Sequence, residues 1–247
     1  MDPQLVVIGG GPAGSTVAAH VSGLDTVMVE EHAAVGSPVQ CTGLVHPRVV
    51  SLASASETVL NTITGFKLFF PGGRMLDVGS DEPKALVIDR RRFDELLSER
   101  AVEHGAKLLT GHRFQGFERT PDGLRVRLDG PDGPRYLGTP LLVGADGYKS
   151  GVGRGAGLGP CREMVRGIQA ELDVRLEDQE KVEVHIGSNV APGFFAWVLP
   201  CGERTRVGLG VSSGHGAPSQ CLSALLKRRG LDGARRIALN AGAIPIG

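Results

Sequence analysis

The chain has no charge imbalance: Lys plus Arg and Asp plus Glu each number 27 in 247 residues. No net field therefore draws it toward nucleic acid or an acidic membrane, and no nucleic-acid partner is expected. The longest basic clusters, Arg90–Arg92 and Lys227–Arg229, are too short for polybasic tails. Cysteine is scarce. Four thiols (Cys41, Cys161, Cys201, Cys221) lie far apart, with no CxxC pair and no histidine at zinc spacing. That argues against a disulfide framework or a metal site and predicts reduced thiols in a cytoplasmic protein. No apolar run approaches the ~20 residues that span a bilayer, so the expectation is a soluble protein, at most peripheral at the inner membrane face. The first strand begins within four residues of Met1, which predicts no signal peptide. No repeat appears at solenoid periods. The histidines, His185 included, show no triad or metal spacing and read as structural or exposed.

Glycine is plentiful, at 37 residues, but dispersed, as tight turns require. The N-terminal "LVVIGGGPAGSTVAAHVSGLDTVMVEE" reads as strand, glycine turn, helix, strand. Leu5–Ile8 is a continuous apolar run, as in a parallel strand buried on both faces. Gly9, Gly11 and Gly14 give GxGxxG spacing: a tight turn, an open approach for a pyrophosphate, and close helix–strand packing. Pro12 suits the first helical turn, whose free N–H groups form an anion site. A second strand, Thr26–Val29, ends in Glu30, placed to accept hydrogen bonds from ribose hydroxyls. A carboxylate there disfavours a 2′-phosphate, leaving FAD or NAD as the dinucleotide.

Further along, Phe93, Leu96, Leu97 and Ala101 share one face of a predicted helix that Gly105 can cap. Its first turn holds Arg90, Arg91 and Arg92, which oppose the helix dipole at ~0.3–1 kcal/mol each when exposed. Either a phosphate compensates or the three are solvated; one functional arginine is expected. Residues 106–144 read as a β-meander turned by "PDG" at 121–123 and 131–133. "LLVGADGYKSGVGR" then brings Asp146 and Gly147 to a carboxyl edge of a sheet, where open α/β sheets bind ligands; an ordinary Asp-Gly turn is the alternative. In "GSPVQCTG", residues 36–43, Cys41 is either a small apolar filler or a thiol held against a cofactor. Of eleven aromatic residues, Phe194, Phe195 and Trp197 fall within four positions. On a strand, Phe195, Trp197 and Leu199 share one face and Phe194, Ala196 and Val198 the other, which fits a core strand or one lining an apolar cavity.

Together these segments resemble FAD-dependent enzymes built like p-hydroxybenzoate hydroxylase: GxGxxG with a distal Glu, an Arg opening the next helix, and "GADGxxS" at Gly144–Ser150. Within that superfamily "VGSPVQCTG" is similar to the G-x-P-V-x-C segment of the geranylgeranyl reductase family. That family's YxWxFP…GxG motif is matched by Phe195-Ala196-Trp197-Val198-Leu199-Pro200 and Gly208-Leu209-Gly210, with Phe for Tyr and Leu for Phe. The resemblance covers nearly the whole chain. It implies FAD contacts at Ala13, Glu30, Cys41, Thr42, Gly43 and Arg90, a backbone contact near Phe114, and a substrate pocket at the aromatic motif.

The fold it implies is an α/β Rossmann-like FAD-binding domain (1–60 and 85–155, with strand insertion 61–84) interleaved with an antiparallel β-sheet substrate domain from 156 to 247. The activity it implies is reduction of isolated C=C bonds in a polyprenyl lipid or diphosphate. Cys41 is the one nameable proton donor. Without a second GxGxxG, the electron donor is open between ferredoxin and NAD(P)H. A flavin monooxygenase or halogenase of the same fold, and a non-catalytic flavin-binding fragment, are the competing readings. Flavoproteins of this type have a later Gly-Asp strand that no residue after Asp146 offers. The end "LNAGAIPIG" therefore predicts a C-terminally truncated chain that binds FAD weakly.

Overall fold

The computed structural model describes residues 2–21 and 23–246. The chain opens with strand β1 (Leu5–Ile8), helix α1 (Pro12–His20) and strand β2 (Thr26–Val29). Next come β3 (Leu44–Val45), α2 (Pro47–Leu52), β4 (Val59–Ile63), β5 (Gly65–Phe69), β6 (Met75–Val78) and β7 (Ala85–Ile88). Helix α3 (Arg90–Glu103) leads to β8 (Lys107–Leu109), β9 (Arg113–Thr120), β10 (Gly123–Gly130), β11 (Gly133–Thr139), β12 (Leu141–Gly144) and α4 (Gly151–Gly155). The remainder holds β13 (Met164–Leu172), β14 (Lys181–Ile186), β15 (Phe195–Cys201), β16 (Arg204–Ser212), α5 (Pro218–Arg228) and β17 (Arg236–Pro245).

Contacts divide the chain into two units, Met1–Pro38 with Arg90–Cys161, and Val39–Asp89 with Arg162–Gly247. In the first, four parallel strands run in the order β12-β1-β2-β8. All four residues of β1 are buried because both faces of this sheet are covered. Leu5 and Val7 pack with Ala18 of α1 and Ala101 of α3. Val6 and Ile8 pack with Val126, Leu128 and Leu137 of the three-stranded meander β11-β10-β9. Its hairpins turn at Pro121-Asp122 and Pro131-Asp132, the sites the sequence marks. In α3, Phe93, Leu96, Ser98 and Ala101 are buried, and Gly105 follows at φ +99°.

In the second unit, seven strands run β17-β13-β16-β15-β14-β5-β6, and β3-β7-β4 forms a small sheet. Helix α5 packs Leu222, Leu225 and Leu226 against Ala196, Val198, Val207 and Leu209 on one face of the large sheet. The expected boundaries near 60, 85 and 155 therefore move to 38, 89 and 161. Segment 39–60 goes with the second unit because β3 and β4 both pair with β7. The insertion strands join the large sheet as well: β5 pairs parallel with β14, and β6 hangs antiparallel from β5. That sheet is therefore mixed rather than purely antiparallel. The chain's last strand, β17, lies antiparallel along β13.

Candidate functional site

In the first unit the glycine turn joins β1 to α1. Gly9 has φ +107°, and a side chain there would run into the backbone carbonyl of Ala145. A side chain on Gly14 would strike the Gly9 carbonyl, so the third glycine seats α1 on the strand end. A Cβ on Gly11 would meet nothing within 4 Å. That open side faces the start of α1, whose N-cap residue Gly11 supplies no side-chain hydrogen bond and whose first residue is Pro12. Ala13 follows in the same first turn. The residues fit a dinucleotide: an open backbone cradle with free helix amides beside a carboxylate.

That carboxylate is Glu30, 8% exposed. Its Oε2 accepts from Gly10 N at 2.9 Å, and its Oε1 accepts from His32 N at 2.9 Å and contacts His32 Nδ1 at 2.6 Å. The strand-end position alone assigns Glu30 to a ribose. Two residues of this unit also use it, though Oε2 keeps a lone pair for a hydroxyl donor. His32, two positions on in "EEH", was the missed partner.

Arg90 opens α3 and makes a two-nitrogen pair with Asp94, Nε at 3.2 Å and Nη2 at 3.0 Å. Arg92 pairs with Glu99 at 2.7 Å. Carboxylates one and two turns on thus face cations that the dipole argument would otherwise assign to a phosphate. Burial pushes the Asp94 carboxyl above its ordinary value, and Arg90 offsets only part of that. Asp146 also turns inward. Its oxygens accept from the Ser150 hydroxyl at 2.5 Å and from the amides of Gly151 at 2.6 Å and Val152 at 3.1 Å. The carboxylate expected at the sheet edge caps α4, so only the backbone of Asp146 and Gly147 is left to face a ligand. Phe114 packs against Phe117 in the meander core, ring centroids 6.5 Å apart.

In the second unit, Cys41 is half-buried, and its sulfur accepts from Gly43 N at 3.4 Å. The hydroxyl oxygen of Thr42 is buried without a hydrogen-bond partner. Such an atom costs ~1–3 kcal/mol unless something binds it. Arg206, 8% exposed, holds the loop through the carbonyls of Thr42 at 2.7 Å and Ile88 at 3.2 Å, and its Nε contacts Glu171 at 3.2 Å. Sequence reasoning missed this clamp. Its one signal was an arginine inside the otherwise apolar run "TRVGLGV".

The aromatic strand β15 shows why the second glycine motif is there. Trp197 lies opposite Gly208, which lies opposite Gln169. The indole Nε1 donates across Gly208 to Gln169 Oε1 at 2.9 Å. A Cβ on Gly208 would stand 2.5 Å from the indole, and one on Gly210 would stand 2.5 Å from Phe194. Gly208 and Gly210 are therefore spacers for aromatic rings. Leu199 is fully buried with Ile63, Val87 and Val182, so this expected pocket residue is core. Pro200 is buried too. Trp197 is half-buried and begins a cross-strand row through Val184 and Leu68 to Leu76, which is 48% exposed. Phe195, 38% exposed, stacks on Phe194 with centroids 4.3 Å apart.

The family described as "FAD binding domain" matches residues 2–214. The digeranylgeranylglycerophospholipid reductase of Methanocaldococcus jannaschii is 33% identical over 216 residues, 84% of this chain. The chain spans 55% of that relative's length. Among solved structures, a geranylgeranyl bacteriochlorophyll reductase-like protein from Thermoplasma acidophilum aligns over 99% of this chain and 66% of its own, with TM-score 0.89 and 24% identity. An aklavinone-11 hydroxylase in complex with FAD and aklavinone aligns over 98% of this chain and 53% of its own, with TM-score 0.75 and 18% identity. Both likenesses are of fold.

Proposed function

Because this chain belongs to the FAD binding domain family, and its cofactor is FAD, we propose that it works as a reductase saturating C=C bonds of a geranylgeranyl chain in isoprenoid lipid biosynthesis. The observation that carries this reading is the 33% identity to a reductase named for a digeranylgeranyl phospholipid. The apolar row from Trp197 to Leu76 supports it, since an alkyl chain needs an unbroken apolar surface and no polar anchor.

Reduced FAD supplies the hydride for such a reaction. The open side of Gly11 and the first amides of α1 hold its pyrophosphate, and the free lone pair of Glu30 takes a ribose hydroxyl. Arg90 and the backbone near Phe114, Asp146 and Gly147 complete the nucleotide contacts. Arg206 fixes the Cys41–Gly43 loop, whose buried Thr42 hydroxyl has a hydrogen bond to give. Cys41 is the residue we assign as proton donor. Phe195 and Trp197 orient the chain and exclude water, which matters because an isolated alkene is a poor electrophile and positioning must supply much of the rate.

Electrons come from ferredoxin or NAD(P)H. A lipid substrate brings the chain to a membrane surface; no helix among the described residues is long and apolar enough to cross one. Lipids extracted from cells with and without the gene test the reading. Accumulation of unsaturated isoprenoid chains in its absence is expected. Unchanged saturation, with NAD(P)H-driven oxygen consumption and a hydroxylated aromatic product, would instead place the chain with hydroxylases such as the aklavinone enzyme.

A further inference from the structure

The sheet face opposite Trp197 carries a group of side chains that the reductase reading leaves unused. Glu183 and His185 of β14 lie across from Lys67 and Phe69 of β5 on this face, the one α5 covers. Glu183 accepts from Arg229 through both oxygens, at 2.7 and 2.5 Å, and contacts His185 Nε2 at 3.1 Å. Burial opposes its ionisation, but the bonds and charges of His185 and Arg229 outweigh it and hold the carboxyl below its ordinary value. His185, 3% exposed, stacks flat on Phe69 at 4.4 Å. Its Nδ1 has no partner among the described residues.

A cavity of about 370 Å³ opens beside this group. One wall is apolar: Phe69, Phe70, Pro71 and Val190. The polar lining is Arg228, Arg229, His185 and Asn189, with no acidic residue. Glu183, which contacts both His185 and Arg229 of the lining, is already matched by Arg229. Arg228 is exposed and forms no ion pair with the described residues. The lining therefore offers a surplus of donors and positive charge. Two guanidinium groups and an amide offer more N–H groups than a carboxylate's two oxygens can accept, whereas a phosphate monoester's three terminal oxygens can take them.

We propose that this cavity binds a phosphate monoester that carries a small apolar body. The phosphate sits on Arg228, the outer N–H groups of Arg229 and the amide of Asn189, and the body lies against Phe69 and Phe70. Soluble esters and the phosphate of a lipid share this chemistry. The inference does not depend on the reductase reading.

The test is titration calorimetry of the full chain with phenyl phosphate, alongside cosedimentation with phosphatidylcholine vesicles with and without phosphatidic acid. Arg228→Ala removes an exposed side chain without an ion pair, so the fold and flavin content should stand, and both are measured. Phenyl phosphate should bind the parent, and Arg228→Ala should weaken it about tenfold or more, as loss of a charge-assisted hydrogen bond implies. Binding of the free ester alone identifies a soluble ligand. Vesicle binding that requires phosphatidic acid, is lost in Arg228→Ala and is displaced by phenyl phosphate identifies a lipid. Either supports the site. Equal affinity of parent and variant, or phenol binding as tightly as phenyl phosphate, overturns it.

Discussion

Gly208→Ala probes the packing of the aromatic strand directly. The new methyl would stand 2.5 Å from Cζ2 and 2.6 Å from Cε2 of Trp197, inside any tolerable contact. The ring cannot simply swing away, because its Nε1 is tied to Gln169 at 2.9 Å across the substituted position. Either the indole shifts and loses that bond or β15 and β16 separate. Overpacking costs ~1–3 kcal/mol and the lost hydrogen bond ~0.5–1.5 kcal/mol. At ~2–4 °C per kcal/mol for a chain of this size, Tm should fall by about 3–18 °C. Trp197 is the chain's one tryptophan, so its fluorescence reports the ring without ambiguity. Emission should move to longer wavelength as the half-buried indole is pushed toward water. Gly233→Ala is the control, since its Cβ would meet nothing within 4 Å. Control-like Tm and unshifted emission in Gly208→Ala would refute the spacer argument.

Glu30→Ala should weaken FAD binding by ~1.5–3 kcal/mol in titration calorimetry, while Glu30→Gln, which keeps an acceptor for Gly10 N–H, should lose less; parent-like affinity in both removes Glu30 from the site. Burial pushes the Cys201 thiol up to about 11, only partly offset by Arg206, so at pH ~8 about one molecule in a thousand carries the thiolate. Peptide mapping after iodoacetamide should find Cys201 unmodified when the half-buried Cys41 has reacted, and equal labelling contradicts its burial. The Glu183 carboxyl, held below its ordinary 4.5 by His185 and Arg229, contributes stability that is present above 4.5 and lost as pH falls through its lowered value. Glu183→Gln should therefore show a lower Tm near neutrality, by about 3 kcal/mol of stability, and a flatter decline in acid than the parent; parallel Tm–pH curves count against the cluster.

Local chemistry was legible in the sequence. β1 and β2 span Leu5–Ile8 and Thr26–Val29 as read, because an apolar run and a glycine turn carry their own boundaries. The meander turns fell at both "PDG" sites for the same reason. What depended on distant pairing was not legible. The parallel docking of β5 on β14 joins residues more than a hundred positions apart and moves the insertion into the large sheet. Asp146 read as a ligand because nothing local announces that Gly151 and Val152 will turn their amides back onto it. The Arg90–Asp94 pair was in plain view at i,i+4 spacing, the rule that answers the dipole puzzle without a phosphate. Leu199 alternates correctly with Trp197, yet alternation cannot say that Ile63 and Val87 of another sheet will cover it.

The proposed reaction reduces geranylgeranyl double bonds on FAD held by this chain. The most direct test loads the purified chain with FAD, reduces it anaerobically with dithionite, adds a digeranylgeranylglycerol phospholipid, and follows flavin reoxidation and lipid mass together. Reoxidation is expected only when the lipid is present, with one hydrogen molecule's mass gained per double bond. A reduced flavin that persists beside the lipid with no mass gain, yet reoxidises at once on admission of oxygen, would contradict it.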